Sequence, residues 1–475
     1  MNGPIRKVSV FIAVLMAALL VNMTFTSVVR SDSLNADGRN RRVRDAEFSQ
    51  NRGAILVGNE PIAESEPRSG RFPYVRTYPD GETWSSVTGW YSYDYARSGL
   101  EQSFNAELAG TSSEQAFERI VDLLAGRRSQ GANISTTLNP AAQRAAVRAL
   151  GSKRGAAIAM DYTTGAILAL VSSPTYDPNR LSTVDLGAQR DAWDELLNGK
   201  DEPLKNRGTR EVYPPGSTFK LITAAAALED GLVPDSMVDS PASLPLPNSS
   251  HSMGNSTNCG GTQVTLQQAL MTSCNTAFGN LGLKLGGEKL RAMAEAFGFN
   301  KDQTIDIAAA TSRFPTELDQ SQAALSAIGQ YDVAASPLQM LQVAAAIANN
   351  GTMMRPYLVS TVTNRDLTVL SSTAPTELGR PISESTAKLL QQMMVATVEG
   401  GTGSPAATAG LVVGGKTGTA QSAPDRPPYA WFVGYAEDPK VAIVAFVEDA
   451  GVARDDISGG RLAAPIFKAV LESLR

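Results

Sequence analysis

Histidine is nearly absent from this sequence. The 475 residues include a single histidine, His251, which lies in the polar stretch LPNSSHSMGNSTN and is expected to be a solvated loop residue. One histidine cannot build a multi-histidine metal site, and a Ser-His-Asp triad could use only this residue. If the chain is a hydrolase or a transferase, we therefore expect lysine, tyrosine or a carboxylate as the base, with no metal and no cofactor.

The chain also has no strong excess of charge. Its 42 lysines and arginines and 47 acidic residues give a formal net charge of −5. No long basic stripe runs along the sequence, so nucleic acid is not an expected partner. With 43% hydrophobic residues, the chain has enough apolar side chains to bury a large core.

Cysteine occurs only twice, at Cys259 and Cys274. No C-x2-C pair is present, which argues against zinc binding. A disulfide between the two would require a location outside the cytosol. It would close a loop of about fifteen residues and contribute about 3 kcal/mol in the chain-entropy description. Two buried free thiols are the alternative, and the cysteines alone do not decide between the two states.

The N-terminus carries a long hydrophobic run. The run from Val8 to Val29 contains no charged residue and is long enough to span a bilayer as a helix. Arg6 and Lys7 precede it, and no A-x-A-like cleavage site follows it. Residues 1–29 are therefore predicted to form a cytoplasmic tail and a retained, single-pass membrane anchor.

The charges after this run oppose that orientation. Five arginines follow it closely, at Arg30, Arg39, Arg41, Arg42 and Arg44. The positive-inside count would keep them in the cytoplasm, but the preceding tail is very short and long following domains translocate largely regardless of charge. We therefore expect the rest of the chain to be extracytoplasmic.

Residues 30–150 are predicted to form a charged linker and a small mixed N-terminal domain. Residues 151–475 have a different pattern. GAAIAMDYTTGAILALVSS, from Gly155 to Ser173, is typical of a β-hairpin, an alanine-rich helical region follows, and three strand patterns and a last helix end the chain. Strands at both ends of a helical region predict an α+β fold, with one antiparallel sheet of five strands packed against helices.

The stretch YPPGSTFK places Ser217 three residues before Lys220, ahead of the apolar helix pattern FKLITAAAALEDG. Positions i and i+3 share one face of a helix, so Ser217 Oγ and Lys220 Nζ could come within hydrogen-bond reach. A serine hydroxyl needs an adjacent base to become a nucleophile, and lysine is a base only when it is neutral. The alternative for this stretch alone is that Ser217 caps the helix and Lys220 is solvated.

Two further motifs change that balance. TSCNTAFGNLG contains Ser273-Cys274-Asn275, an S-x-N sequence in which serine could relay a proton and asparagine could hold an amide. GGKTGTAQ contains Lys416-Thr417-Gly418-Thr419, whose lysine and hydroxyls suit a carboxylate and whose glycines let a peptide approach the strand. The order S-x-x-K, S-x-N, K-T-G is the set found in penicillin-binding proteins and serine β-lactamases.

The chain resembles a class B penicillin-binding protein and, in detail, the short actinobacterial penicillin-binding protein A type. The resemblance extends from Arg52 to the C-terminus. The supporting stretches are NRGAIL (Asn51–Leu56), SGLEQSFNAELAG (Ser98–Gly110), ISTTLNPAAQ (Ile134–Gln143), MDYTTGAILALVSSPTYDPN (Met160–Asn179) and IGQYDVAASPLQM (Ile328–Met340). It implies a penicillin-binding transpeptidase domain over 151–475 and a pedestal or dimerisation-like domain before it.

The resemblance also implies an activity, that of a serine D,D-transpeptidase acting on the D-Ala-D-Ala ends of peptidoglycan stem peptides and inhibited by β-lactams. Ser217 would form the acyl-enzyme, Lys220 would be the base and Ser273 would pass a proton to the leaving amine. The substrate would be bound by Asn275, Lys416, Thr417, Gly418 and Thr419. The backbone N–H groups of Ser217 and Thr419 would form the oxyanion hole. A Cys259–Cys274 disulfide is expected to brace the loop that carries the S-x-N motif.

Other activities are compatible with these motifs. A β-lactamase of class A would need a glutamate in E-x-x-L-N between the second and third motifs, and ELLN at Glu195–Asn198 lies upstream of Ser217 instead. A D,D-carboxypeptidase, which transfers to water, and a non-catalytic scaffold of the cell-wall machinery are further alternatives. The segment before the catalytic region has no room for a glycosyltransferase domain, and no appended C-terminal module is expected. The resemblance implies a separate partner, a polytopic glycosyltransferase that polymerises lipid II.

Overall fold

A computed structural model describes residues 2–30, 41–126, 130–422 and 426–475 of the chain. Residues 31–40, within the linker predicted from the sequence, lie outside the described residues. The first helix, Asn2–Val28, contains the predicted hydrophobic run except for its last residue, Val29. Within the described ranges, its segment Gly3–Val28 is the one helix long and apolar enough to cross a membrane, and its side chains are not covered by the rest of the protein.

The helices follow the predicted pattern of a mixed N-terminal part and a helical middle. Those among the described residues are α1 (Asn2–Val28), α2 (Arg41–Glu47), α3 (Gly81–Thr88), α4 (Gly99–Ser103), α5 (Asn105–Leu108), α6 (Ala116–Leu124), α7 (Pro140–Leu150), α8 (Asn179–Ser182), α9 (Leu186–Asn198), α10 (Lys220–Glu229), α11 (Leu266–Met271), α12 (Asn275–Ala296), α13 (Gln320–Ser326), α14 (Pro337–Ala348), α15 (Glu384–Gly400) and α16 (Ala464–Glu472).

The strands fall into two larger sheets and three short pairs. Those among the described residues are β1 (Ile55–Val57), β2 (Glu60–Pro67), β3 (Tyr74–Thr77), β4 (Asn133–Thr136), β5 (Arg154–Asp161), β6 (Ile167–Ser173), β7 (Met237–Asp239), β8 (Ser243–Pro245), β9 (Ser252–Gly254), β10 (Gln263–Thr265), β11 (Met353–Met354), β12 (Val359–Thr363), β13 (Val369–Ser372), β14 (Glu377–Gly379), β15 (Val413–Ala420), β16 (Tyr429–Ala436) and β17 (Val441–Asp449).

The N-terminal sheet has six strands in the order β13-β12-β4-β1-β2-β3. Two of them, β12 and β13, come from the part of the chain assigned from the sequence to the transpeptidase region. β12 pairs antiparallel with β4, while β4 and β1 are parallel. The two parts of the chain are therefore joined by backbone hydrogen bonds as well as by side-chain packing.

A buried ion cluster holds the N-terminal part together. The Glu101 carboxylate accepts from Arg52 Nε and from Arg76 Nε, both at 2.6 Å, and all three side chains are at most 3% exposed. Burial alone would raise the pKa of Glu101, but the two guanidinium groups outweigh it and lower the pKa below its ordinary value. The carboxylate is thus kept charged between two buried cations.

The second sheet confirms the predicted antiparallel five-stranded arrangement, in the order β15-β16-β17-β5-β6. Its first hairpin, β5 and β6, comes from the predicted stretch Gly155–Ser173, and its other three strands come from the end of the chain. β15 is an edge strand, so one row of its backbone groups is not used by the sheet. This edge carries the K-T-G motif.

Helices cover both faces of this sheet. Along β16, Trp431 and Val433 face the larger core, which includes the buried helices α10 and α14. Ala430 and Phe432 alternate with them and face the smaller core, where α7 and α16 pack. α10 is buried from Lys220 to Leu228, as its apolar sequence predicts. The helical layer therefore brings Lys220 beside the edge strand.

Candidate active site

The segment that carries Ser217 begins with a tight turn. Gly216–Phe219 forms a 3-10 turn, and the α-helix starts only at Lys220. The sequence predicted Ser217 at or near the first turn of the helix; the structure places it in the 3-10 turn immediately before. Ser217 is partly exposed, whereas Lys220 is fully buried. The turn thus presents the hydroxyl at the surface while the amine lies inside.

The glycine before Ser217 is required by the backbone. Gly216 has φ of 53°, in the left-handed region that favours glycine. A Cβ at this position would lie 2.9 Å from Ala420 Cβ and 3.0 Å from Thr419 O, at the end of the K-T-G strand. The N–H of Gly216 donates to Gly329 O at 3.0 Å. Close approach of these backbones sets the distance between the Ser217 turn and β15.

Lys220 reaches the S-x-N motif. Its Nζ donates to Ser273 O at 2.7 Å and to Asn275 Oδ1 at 2.8 Å, and it lies 3.3 Å from Ser273 Oγ. The i, i+3 spacing predicts a hydrogen bond between Ser217 Oγ and Lys220 Nζ. Both residues are described by the structure, and this bond is not formed. The long lysine side chain instead points across to the loop before α12.

The S-x-N motif turns sharply at its serine. Ser273 has φ of 58°, and Cys274 occupies the N-cap position of α12, which begins at Asn275. Cys274 forms the predicted disulfide with Cys259. Asn275 Nδ2 also donates to Gly254 O at 3.1 Å. The motif is therefore held on one side by Lys220 and on the other by the segment that contains Cys259.

The K-T-G motif lies on the edge strand β15, as expected. Lys416 is fully buried, and its Nζ donates to Ser273 Oγ and to Thr417 O, both at 2.9 Å. Thr417 is nearly buried, and its hydroxyl lies 2.7 Å from the hydroxyl of Thr402. Thr419 is exposed, and its hydroxyl accepts a long hydrogen bond from the N–H of Gly459 at 3.4 Å. The hydroxyl of Ser273 is the common partner of Lys220 and Lys416.

Gly418 has no room for a side chain. A Cβ there would lie 2.9 Å from Thr218 Cγ2, 3.1 Å from Pro215 O and 3.1 Å from Trp431 Cβ. Glycine at this position therefore allows the Ser217 turn to pack directly against β15. The fold thus brings together the three segments that carry all eight predicted catalytic and substrate-binding residues. The chemical roles of these residues remain predictions.

Both site lysines have weakened basicity. Burial, followed by the charge of the Lys416 ammonium, lowers the pKa of Lys220 well below its ordinary value. Burial lowers the pKa of Lys416 to about 7. Two ammonium groups on either side of one hydroxyl repel each other in a low-dielectric setting, so the site favours a neutral amine. This is the protonation state that a lysine base requires.

The sequence did not reveal two residues that join the motifs. Thr402 contacts Thr417 through its hydroxyl, and its backbone N–H donates to Met271 O at 3.1 Å, just before the S-x-N motif. Trp431 Nε1 donates to Pro214 O at 3.1 Å and fixes the approach to Ser217. Neither residue belongs to a recognisable motif. The available signals were the turn sequence TGSP, which begins at Thr402 after a long helix, and a tryptophan within a strand pattern.

Comparison with known proteins identifies the family of this chain. The family model of the penicillin-binding protein transpeptidase domain matches residues 155–472 of the sequence. The family model of the penicillin-binding protein A dimerisation domain matches residues 52–134. The chain belongs to the class B penicillin-binding proteins. Both halves of such a protein are therefore present, with the six-stranded sheet largely in the N-terminal match.

Several relatives of this penicillin-binding protein are similar along the whole chain. It is 44% identical to the peptidoglycan D,D-transpeptidase PbpA of Mycolicibacterium smegmatis over 99% of this chain and 98% of the relative. Identity to the protein of the same name from Mycobacterium tuberculosis is 39%, over 100% of this chain and 99% of that one.

Solved structures show the same fold. Penicillin-binding protein A from M. tuberculosis, as a ceftriaxone acyl-enzyme, matches with a TM-score of 0.87 and 38% identity over 90% of this chain and 99% of that one. The same protein as a penicillin G acyl-enzyme matches with a TM-score of 0.85, 38% identity and coverage of 90% and 100%.

Proposed function

We propose that this protein is a peptidoglycan D,D-transpeptidase that cross-links stem peptides through an acyl-enzyme on Ser217 and is inhibited by β-lactams. The observation that carries the proposal is the convergence of Lys220 and Lys416 on the hydroxyl of Ser273, beside the turn that presents Ser217. Relatives that match the chain from end to end are named D,D-transpeptidases, and solved relatives are β-lactam acyl-enzymes.

In the first step, Ser217 Oγ attacks the carbonyl carbon of the penultimate D-alanine, and Lys220 Nζ takes the hydroxyl proton. The two short bonds of Nζ go to Ser273 O and Asn275 Oδ1, groups that only accept. These bonds use the two N–H groups of a neutral amine and leave its lone pair for a hydroxyl proton. The N–H groups of Ser217 and Thr419 stabilise the oxyanion that forms.

In the second step, the C–N bond to the terminal D-alanine breaks. The leaving nitrogen takes the Ser273 hydroxyl proton, and protonated Lys220, 3.3 Å away, returns a proton to Ser273 Oγ. An amine of a neighbouring stem then attacks the Ser217 ester. It forms the new amide, gives up a proton along the same path, and Ser217 Oγ is reprotonated as it leaves.

Lys416, Thr417 and Thr419 bind the carboxylate of the terminal D-alanine, and Asn275 orients the peptide. A bound carboxylate favours the charged form of Lys416, whose pKa is lowered to about 7 by burial. Binding is therefore coupled to proton uptake by Lys416. The peptide can add to the edge of β15 that the sheet leaves unpaired, and Gly418 lets the Ser217 turn pack against this strand.

The remaining proposals concern location and partners. Residues 1–29 form a cytoplasmic tail and a single-pass anchor, residues 30–150 a linker and N-terminal domain, and residues 151–475 the extracytoplasmic transpeptidase domain. The length and composition of Gly3–Val28 support the anchor. A disulfide between Cys259 and Cys274 supports an oxidising location. A polytopic glycosyltransferase that polymerises lipid II supplies the strands to be cross-linked.

The test uses purified full-length protein in detergent. After incubation with penicillin G, intact mass should show one stable adduct per chain, and Ser217→Ala should show none. Ser250→Ala, which changes an exposed serine, should behave like the wild type. A synthetic stem pentapeptide with an added acceptor amine should then give a cross-linked product. Absence of an adduct on the wild type, or rapid loss of the adduct by hydrolysis, would overturn the proposal.

A further inference from the structure

The segment Gly254–Cys259, which we call the strap, lies against the loop of the S-x-N motif. Gly254 O accepts from Asn275 Nδ2 at 3.1 Å, and Thr257 Oγ1 donates to Thr272 O at 2.6 Å. Cys259 is joined to Cys274 by the disulfide. Asn255, within this strap, makes the contacts that reach the start of α12.

The start of α12 lacks a cap of its own. Cys274 occupies the N-cap position, and its side chain makes no capping hydrogen bond. The first N–H groups of a helix have no partner within the helix and need an acceptor from elsewhere. Asn255 Oδ1 accepts from the N–H of Asn275 at 2.8 Å and from the N–H of Thr276 at 3.0 Å. It therefore caps α12 from outside the helix.

The other side of the Asn255 amide is also held. Its Nδ2 donates to Thr276 Oγ1 at 3.0 Å and to Pro241 O at 3.4 Å. Asn255 Oδ1 lies 3.6 Å from Cys274 Sγ, a packing contact, because a disulfide sulfur has no proton to donate. The orientation of the amide is thus fixed by its surroundings, and its oxygen is directed at the helix start.

Asn255 connects to Lys220 through a single residue. It binds the backbone of Asn275, whose Oδ1 accepts from Lys220 Nζ at 2.8 Å. Lys220 Nζ in turn contacts both Ser273 O and Ser273 Oγ. A shift of the helix start would therefore move one of the two close acceptors of the base.

We propose that Asn255 is a positioning residue for acylation, capping α12 so that Asn275 holds the Lys220 amine toward the hydroxyls of the site. The inference rests on the proposed function, because it assigns Asn255 to the same acylation reaction. Asn255 does not touch the reacting atoms. It acts through Asn275.

Two substitutions separate this role from general stability. Asn255→Ala removes the cap and should lower the rate constant for acylation about ten-fold at every pH, since small misplacements of reacting groups are costly. Asn255→Asp keeps both accepted bonds, and a carboxylate suits a helix N-terminus. It loses the long bond donated to Pro241 O, while the Thr276 hydroxyl can donate to the carboxylate in place of accepting from the amide. This variant should acylate within about three-fold of the wild type at high pH, with its pH–rate midpoint moved upward.

The direction of that movement follows from the groups around Lys220. Ser273 and Asn275 contact it from the S-x-N motif, the Phe278 ring lies 5.6 Å from Nζ, and Lys416 is the charge that acts on it within the described residues. A carboxylate at position 255 adds a negative charge one residue beyond Asn275. It favours protonated Lys220, so a higher pH is needed to obtain the neutral base.

The experiment measures acylation of full-length protein in detergent by fluorescent penicillin from pH 6 to pH 10, approximately the range of the expected lysine titration. Asn258→Ala is the matched control, because this exposed strap asparagine accepts from the N–H of Gly260 in its own turn and its side chain makes no other hydrogen bond among the described residues. It should keep the wild-type profile. Circular dichroism at each pH checks that the variants are folded.

The results divide clearly. Slow acylation of Asn255→Ala supports the positioning role if Asn255→Asp is acylated at close to the wild-type rate at high pH and its pH–rate midpoint is moved upward. Wild-type rates in Asn255→Ala, or equal loss in both variants without a shift, overturn it. If Asn255→Ala does not fold, Asn255→Leu, which has a similar shape and no acceptor, takes its place with the same expected loss. Failure of the wild type itself to be acylated would instead contradict the proposed function.

Discussion

Lys416 Nζ donates a hydrogen bond of 2.9 Å to Ser273 Oγ, joining an edge strand to a loop that precedes it by well over a hundred residues. The same hydroxyl lies 3.3 Å from Lys220 Nζ. One serine therefore separates two buried amines. Burial lowers the pKa of both lysines, and the charge of Lys416 adds to the effect at Lys220. The position of Ser273 between the two amines gives the path proposed for the proton.

Removal of the Ser273 hydroxyl should impair acylation more than folding. Ser273→Ala takes away the group that passes a proton to the leaving nitrogen, and positioned proton transfer typically contributes about 10²–10⁴-fold. We expect the second-order rate constant for penicillin acylation to fall by about 10²-fold. Stopped-flow or quench measurements check it, with the exposed Ser250→Ala as the control; a loss below about three-fold would contradict the relay.

The buried lysines should make stability rise with pH. The pKa of Lys416 is about 7 in the folded protein against 10.5 ordinarily, so between these values the unfolded chain binds more protons. The free energy of unfolding should therefore increase from pH 7 to pH 9, by up to about 1.4 kcal/mol per pH unit for one lysine. Lys220, whose pKa is also lowered, acts in the same direction.

Substitution identifies the lysine responsible for that slope. In urea denaturation at several pH values, Lys416→Met should reduce the increase, because its apolar side chain has no proton to lose. Lys301→Met changes an exposed lysine and should retain the wild-type slope. If the free energy of unfolding of Lys416→Met rises with pH as steeply as that of the wild type, the Lys416 amine is not the source of the pH dependence.

A side chain at Gly216 should disrupt the site locally. Gly216→Ala forces alanine into φ of 53° and places Cβ 2.9 Å from Ala420 Cβ. The left-handed conformation costs about 1–2 kcal/mol, and displacement of the Ser217 turn should lower acylation at least about ten-fold. Gly400→Ala is the control, since its added Cβ would lie 3.7 Å from Met271 Cε, an ordinary contact. Equal acylation by both variants would argue against this account.

The buried carboxylate of the N-terminal part should be important for stability. Glu101→Gln removes the buried carboxylate that pairs with both Arg52 and Arg76, which typically costs about 3–5 kcal/mol. Glu195→Gln removes the partner of Arg180 in an exposed pair and should cost less than about 1 kcal/mol. Denaturation by guanidinium measures both, and similar values for the two variants would refute the prediction.

Local patterns were sufficient for several elements of this protein. The hairpin of β5 and β6, helix α7 and the hydrophobic N-terminal helix follow from periodicity, proline placement and length, all of which act within a few residues of sequence. The three motifs were also readable, because nucleophile, base and carboxylate binder need particular residue types at short spacings.

Other features depend on residues far apart in the chain. The i, i+3 spacing pointed Lys220 at Ser217, yet Lys220 Nζ donates to Ser273 and Asn275, since the loop before α12 brings two strong acceptors to it. β12 and β13 join the N-terminal sheet because β4 offers an unpaired edge, which no local pattern of residues 359–372 indicates.

The sequence by itself determined which residues are available for chemistry and which segments are helix, strand or membrane anchor. Only the tertiary structure decided that Ser273 lies between two buried lysines and that Asn255 caps a helix from a separate strap. The reason is physical: local structure depends on neighbouring backbone and side-chain preferences. Burial, pKa shifts and contacts between distant segments arise only when the whole core packs.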